Sequence, residues 1–501
     1  MNRNALLSFA LFSIGSLSAA AEVRLPNVLS DHAVLQRSRP IHVWGTSAAQ
    51  ETVTVTFHAQ TATATANGDG DWELWLRPEE AGGPYELTVT GSQSSAPLKR
   101  SDLLVGDVWF ASGQSNMEFP LKGFTGAPLL NGDQEIAAST QPKIRLLRER
   151  HRTSPVVQSD AQDTWTLCTP ETAKDFSAVG YFFSRELMQE EHIPIGVIDS
   201  TWGGTPAHAW ISGEGIAYAD LPSVAKDAAR IAIDQGRADA LKARYALDDA
   251  ALKEAGKEVP THGRISYDHY GSWTPSTLYN GMVAPFTKFG IKGVIWYQGE
   301  TDTAPERAPY YARVFPALIQ DWRRQWGQGI FPFLYVQISN FGHVNDGWGL
   351  VRDAQRRTLE LGQTGMAVTL DVGNHNNVHP SDKQTVAHRL ALVARESVYG
   401  EKVQGESPTF MQATQEGEAM RVWLTHATGL HSDMNPMTEF EVAGDDHKFS
   451  PAEATIDGET IVVRAVAVKM PRYVRYAWNG GVDCYVYNGK GLPLGTFTSE
   501  R

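Results

Sequence analysis

Four short polar stretches carry residue types that could together transfer an acyl group. They are Gly113-Gln114-Ser115-Asn116-Met117, Trp202-Gly203-Gly204-Thr205, Trp296-Tyr297-Gln298-Gly299-Glu300 and Val378-His379-Pro380. A Ser hydroxyl is a weak nucleophile until a neighbouring imidazole takes its proton. An imidazole with an ordinary pKa near 6.5 can take that proton and return it to a leaving alcohol. Paired glycines let backbone N–H groups approach a developing oxyanion. On this reading Ser115 attacks an ester carbonyl and His379 is the base. The Ser115 N–H, an N–H at Gly204 and the Gln298 amide form the oxyanion hole. The Ser115 stretch is not a G-x-S-x-G elbow, because Met117 stands where the second Gly belongs.

Each stretch follows an apolar run that reads as a buried strand. Leu103 to Phe110 leads to Ser115, Ile193 to Ile198 to the glycine pair, Ile291 to Tyr297 to Gln298, and Met366 to Leu370 to the His379 loop. Helical patterns lie between them, as at 310–326, and a closing helix at 383–398 presents Val386, Leu390, Leu392 and Val393. Alternating strands and helices predict an α/β domain with a parallel sheet. Ligands of such sheets bind beyond the carboxyl ends of the strands, where all four stretches are expected. Residues 22–100 carry short alternating strands and a hairpin signal at Asn67-Gly68, and residues 404–501 read the same way. The expected order is a β-sandwich-like module at 22–100, an α/β domain at 101–403 and a second β module at 404–501. An Ala-rich, charged stretch at about 213–270 is expected to be a helical insertion.

Residues 1–21 have a basic start at Arg3, an apolar centre from Ala5 to Leu17 and a small-residue end, the pattern of a signal peptide. The expectation is an exported protein, periplasmic or secreted, with no membrane insertion. The net charge of −13 argues against a nucleic-acid partner, which would need a basic face. The two cysteines, Cys168 and Cys484, fall in different expected domains; an exported protein could pair them, but they read more simply as two buried free thiols. Neither charge nor motif defines an oligomeric state.

The motifs GQSNM, GGTPAHAW, WYQGE and the His379-Pro380 pair resemble the sialate O-acetylesterase family of SGNH-type esterases. Further similar segments are LSDHAVLQR at 29–37, WTLCTPETAKDFSAVGYFF at 165–183, PSTLYNGMVAPF at 275–286 and YAWNGG at 476–481, so the resemblance spans nearly the whole mature chain. It implies a flavodoxin-like SGNH-hydrolase core that removes O-acetyl groups from sugars, 9-O-acetylated sialic acid first among them, without metal or organic cofactor. It carries the nucleophile to Ser115, the base to His379 and the oxyanion hole to Gly204 and Gln298. Related esterases often place an Asp two or three residues before the catalytic His; here those positions are Asn377 and Asn376. An amide cannot stabilise imidazolium by charge. Either a Ser-His dyad operates or another carboxylate serves, Glu300 being favoured over Asp371 because it lies in WYQGE.

Sugar choice lives in loops, so acetylated xylan or another polysaccharide is an alternative substrate. A sialate substrate needs a cation near Ser115, and Arg352 is the candidate. A different class of function is a carbohydrate-binding protein on a degenerate esterase scaffold.

Overall fold

The computed structural model describes residues 22–219, 221–260, 271–342 and 347–500. The expected signal peptide lies outside them, as do positions 220 and 261–270 of the expected insertion. The core is a parallel sheet of β1 (Leu98–Gly113), β2 (Gln141–Arg148), β3 (Ile195–Thr201), β4 (Gly293–Tyr297), β5 (Phe333–Gln337) and β6 (Thr364–Val368). The strand order is β6-β5-β4-β1-β3-β2, with Thr166–Cys168 antiparallel at the β2 edge. β1 is the organising element. Its N-terminal half pairs with Gly82–Gly91 and Val34–Gln36 of the first β module, and its C-terminal half forms the centre of the core sheet.

β1 can be central because residues Leu103–Gly113 are buried on both faces. Successive side chains point opposite ways. Trp109 meets Phe183 of helix α1 (Ala178–Glu191) edge-on at 5.0 Å. Phe110, the next residue, meets Trp322 of α2 (Ala308–Trp326) at 5.5 Å from the other side. Helix α3 (Gly347–Arg357) packs beside α2, and α4 (Lys383–Ser397) beside α1. The fold is therefore a doubly wound α/β core carrying β-rich modules at both ends.

The register brings three strand ends level. Gly113 of β1 pairs with Thr201 of β3 and with Tyr297 of β4. Chain connections leave β1 toward β2 and leave β4 toward β5, so a crevice opens between them, where ligands of such sheets bind. Gly113 is required at that point. Its φ is +138°, and a Cβ there would lie 2.1 Å from the Tyr297 carbonyl oxygen.

The C-terminal module is built on a seven-stranded sheet running from Thr409–Glu416 to Phe497–Thr498. Between β3 and β4 the chain forms a 33-residue helix, Pro222–Glu254. Cys168 and Cys484 are both buried thiols, and no disulfide joins them. No helix among the described residues is long and apolar enough to cross a membrane.

Candidate active site

Beyond β1 the chain makes one helical turn, Ser115–Glu118, entered through an extended Gln114. The Gln114 side chain accepts the backbone N–H of Thr301 at 3.1 Å, which ties this turn to the loop after β4. Ser115 thus stands at the mouth of a cleft of about 520 Å³, lined by Gln114, Ser115, Glu118, Phe124, Gly203, Gly204, Glu300, Thr301, Val378 and His379. A larger cleft of about 830 Å³ lies between the N-terminal module and the core and contains none of these residues.

His379 comes from the loop between β6 and α4. Its Nε2 lies 2.8 Å from Ser115 Oγ. With the ring proton on Nδ1, Nε2 is free to accept the hydroxyl proton. The ring packs edge-on to Phe124 at 5.3 Å. Burial lowers the His379 pKa from its ordinary value; nearby Lys383 lowers it further, and Glu118 acts in the opposite sense. Asn377 Oδ1 accepts the His379 backbone N–H at 2.9 Å, so it fixes the loop rather than the ring. Among the described residues no carboxylate is within ion-pair distance of the ring, and Nδ1 has no hydrogen-bond partner.

Glu300 lies beneath the pair. Its Oε1 accepts Asn116 Nδ2 at 2.5 Å, and Asn116 Nδ2 also reaches the Val378 carbonyl at 3.0 Å. Lys383 Nζ donates to Asn116 Oδ1 at 2.6 Å. Asn116 is therefore oriented by a cation on its oxygen and a carboxylate on its nitrogen. Its second N–H holds the residue before His379. Burial raises the Glu300 pKa, opposed by the Asn116 bond and by Lys383. Burial pushes Lys383 down to about 7. Glu300 thus does not touch the imidazole: it acts on the His379 loop through Asn116. Asp371, the other carboxylate considered, is bound by Arg389 at 2.6 and 2.8 Å.

Two backbone N–H groups at the cleft are left without an acceptor among the described residues. Gly203 approaches Ser115 so closely that an added Cβ would lie 3.1 Å from the Ser115 Cβ, and Gly204 turns with φ +70°. The Gly203 N–H donates to Glu118 Oε2 at 2.6 Å. The N–H groups of Gly204 and Ser115 have no acceptor among the described residues, and both residues line the cleft. Gln298 does not join them. Its Nε2 donates to Thr205 O at 3.1 Å and to Asp302 Oδ2 at 2.5 Å, and its Oε1 accepts Tyr311. Both amide hydrogens are used inside the core. Arg352 is likewise displaced from its expected role. It is 0% exposed, and its guanidinium donates to the carbonyls of Ile338, Ser339, Asn479 and Gly480.

Comparison with known proteins identifies the family. The family model described as carbohydrate esterase, sialic acid-specific acetylesterase, matches residues 266–394. A human sialate O-acetylesterase is 31% identical over 77% of this chain and 73% of its own length. The chain belongs to the sialate O-acetylesterase family. A rat sialate O-acetylesterase is 28% identical over 97% of this chain and 96% of its own. A crystal structure described as a novel carbohydrate acetylesterase from Xanthomonas citri covers 95% of this chain and 99% of that one, with 35% identity and a TM-score of 0.81. As a member of the sialate O-acetylesterase family, the protein is a carboxylic ester hydrolase.

Sequence reasoning passed over Asn116, Glu118 and Lys383. Glu118 follows Ser115 by three residues, the spacing that shares a helix face, and this signal was available once Ser115 began a helical turn. Lys383 opens α4, and neither its type nor its position in the first turn marks it as buried.

Proposed function

We propose that this esterase removes O-acetyl groups from sugars through a Ser115–His379 dyad. The observation that carries the reading is the 2.8 Å contact between His379 Nε2 and Ser115 Oγ at the mouth of a cleft that also holds two free backbone donors. His379 takes the hydroxyl proton as Ser115 Oγ attacks the acetyl carbonyl. The oxyanion lies against the N–H groups of Ser115 and Gly204. His379 then protonates the departing sugar hydroxyl, and a water activated by the same imidazole releases acetate from the acyl-enzyme. Loss of one oxyanion donor costs about 2.7–4 kcal/mol of barrier in comparable sites. Burial lowers the His379 pKa and so favours the neutral imidazole, whose Nε2 can accept the hydroxyl proton.

The names of the relatives favour O-acetylated sialic acid. The charge of the cleft favours a neutral acetylated sugar instead, such as a plant polysaccharide unit. Among the described residues its lining includes Glu118 and Glu300 and no Lys or Arg. Lys383 and Arg352 are both fully buried, so neither can meet a sialate carboxylate. We therefore place a neutral O-acetylated glycan first. The signal-peptide-like pattern in the sequence of residues 1–21 favours export, where such polymers are met.

The test is acetate release by the purified mature protein from acetylated xylo-oligosaccharide and 9-O-acetylated sialic acid, side by side. Release from the xylan fragment in preference, abolished in Ser115→Ala, is expected. Preference for the sialate would retain the mechanism and overturn the choice of sugar. Release that survives in Ser115→Ala would remove Ser115 as nucleophile.

A further inference from the structure

Glu118 closes the helical turn that begins at Ser115, and its side chain lines the same cleft. One oxygen, Oε2, accepts the Gly203 N–H at 2.6 Å. The other, Oε1, lies 2.9 Å from His151 Nε2. The His151 ring in turn stacks on Trp202, centroids 4.2 Å apart and planes within 6°. A single carboxylate therefore joins the nucleophile turn to the Trp202-Gly203-Gly204 turn, and the His151–Trp202 stack backs that turn from a third segment.

Two consequences follow from this geometry. The first is positional. Because the Gly203 N–H is anchored to the turn bearing Ser115, the next N–H, at Gly204, is held at a fixed offset from Ser115 Oγ. Oxyanion donors contribute only when held where charge develops. The second is electrostatic. His379 becomes an imidazolium as Ser115 attacks, and among the described residues no carboxylate contacts its ring. The charged groups that face it are Lys383 from α4, which opposes that cation, and Glu118, which favours it. Glu300 lines the cleft too, but its Oε1 is bound to Asn116 and Lys383 balances its charge. His151, on the far side of Glu118, is paired to it and stacked away on Trp202.

We propose that Glu118 is a positioning residue of this esterase, holding the Gly203-Gly204 turn against Ser115 and supplying the negative charge that steadies the His379 imidazolium. The proposal rests on Ser115 as nucleophile and His379 as base. It divides between two places what a triad Asp does alone: the ring is packed by Phe124 and its loop is held by Asn116, while the charge comes from the nucleophile's own turn.

The two roles separate by substitution. Glu118→Gln keeps an oxygen to accept the Gly203 N–H and removes the charge; Glu118→Ala removes both. The experiment measures kcat and KM for p-nitrophenyl acetate against pH, with the full mature chain, these two variants and Ser115→Ala, and a thermal melt of each. A small ester makes the result independent of which sugar is the substrate. For Glu118→Gln we expect an unchanged KM, a lower kcat and an acid limb of kcat/KM moved to lower pH, because imidazolium loses a stabilising neighbour. For Glu118→Ala we expect a fall in kcat of about 10²-fold, the scale of a misplaced reacting geometry. A Gln variant with wild-type kcat and an unmoved acid limb would overturn the electrostatic role. A folded Ala variant with wild-type kcat would overturn the positional one. If the Ala variant does not fold, the Gln variant decides the electrostatic role, and Glu118→Asp, whose shorter side chain withdraws the acceptor from the Gly203 N–H while keeping the charge, decides the positional one: wild-type kcat in Glu118→Asp would overturn it. Activity in Ser115→Ala would overturn the dyad itself, and the Glu118 assignment with it, whereas inactive Ser115→Ala beside unaffected Glu118 variants would overturn Glu118 alone.

Discussion

Lys383 carries its amine into the buried base of the site. It is fully buried, with Asn116 Oδ1 as its hydrogen-bond acceptor and the rings of Phe119 and Tyr297 at 4.7 and 5.7 Å. A cation over aromatic faces is partly compensated, and Glu300, through Asn116, supplies the opposing charge. Its effect on catalysis has a definite sign. Lys383 depresses the His379 pKa, Glu118 raises it, and Glu300 faces the pair through Asn116. Lys383→Met removes the depressing charge, so the imidazole protonates more readily. The acid limb of kcat/KM is then expected to move to higher pH, opposite to the shift expected for Glu118→Gln. Acetate release measured across that limb checks it, and an unmoved limb would restrict Lys383 to packing. The Met variant also leaves Glu300 without its counter-charge, so its melting temperature should fall.

At the scale of elements, β1 does two jobs in one run of sixteen residues. It closes the N-terminal module and then delivers Ser115 two residues beyond the sheet. That delivery depends on Gly113, the last residue of the strand, where the backbone takes a conformation that side chains disfavour and passes close to the Tyr297 carbonyl. Gly113→Ala is expected to cost about 2–4 kcal/mol, from backbone strain together with overpacking. It should also lower acetate release beyond the loss of folded protein, because the strain falls beside the nucleophile. Denaturant unfolding alongside specific activity per folded molecule measures both; a stable variant with full activity would show that the strand end can relax.

At the scale of the molecule, the C-terminal module is fastened to the core by buried polar contacts. Arg352 from α3 donates to Asn479 and Gly480 of that module and to Ile338 and Ser339 at the end of β5. Gln337 Oε1 accepts the Thr496 N–H at 3.1 Å, and Asp353 Oδ1 accepts that of Thr498 at 3.2 Å. Burial holds the Arg352 guanidinium down to about 9, and four carbonyls solvate it in place of water. Arg352→Met removes their donor and is expected to cost about 3 kcal/mol or more. The ratio of activity on charged and neutral sugar esters should not change, since the side chain does not reach the cleft. A changed ratio in a variant of wild-type stability would return Arg352 to the substrate.

The α/β core and the four strand ends were legible in the sequence for a local reason. Strands buried on both faces read as apolar runs, and polar stretches that interrupt such runs in this topology fall on one edge of the sheet. Ser115, His379 and the glycine pair could be named because their chemistry is specific to their types. The partner of a given polar atom was not legible. Gln298 turns both its amide hydrogens to Thr205 and Asp302 in the core. Arg352 binds carbonyls 127 and 128 residues away in the chain. Leu392, expected on the buried face of the closing helix, is only partly buried. Glu118, Asn116 and Lys383 gain their roles only when residues 118 and 203, or 116 and 383, are brought within hydrogen-bond distance. An amide, a guanidinium or a carboxylate at a strand end can face the cleft or the core. Residue type leaves that choice open; the tertiary structure makes it, because a buried polar group must take its partners from whatever segments pack around it.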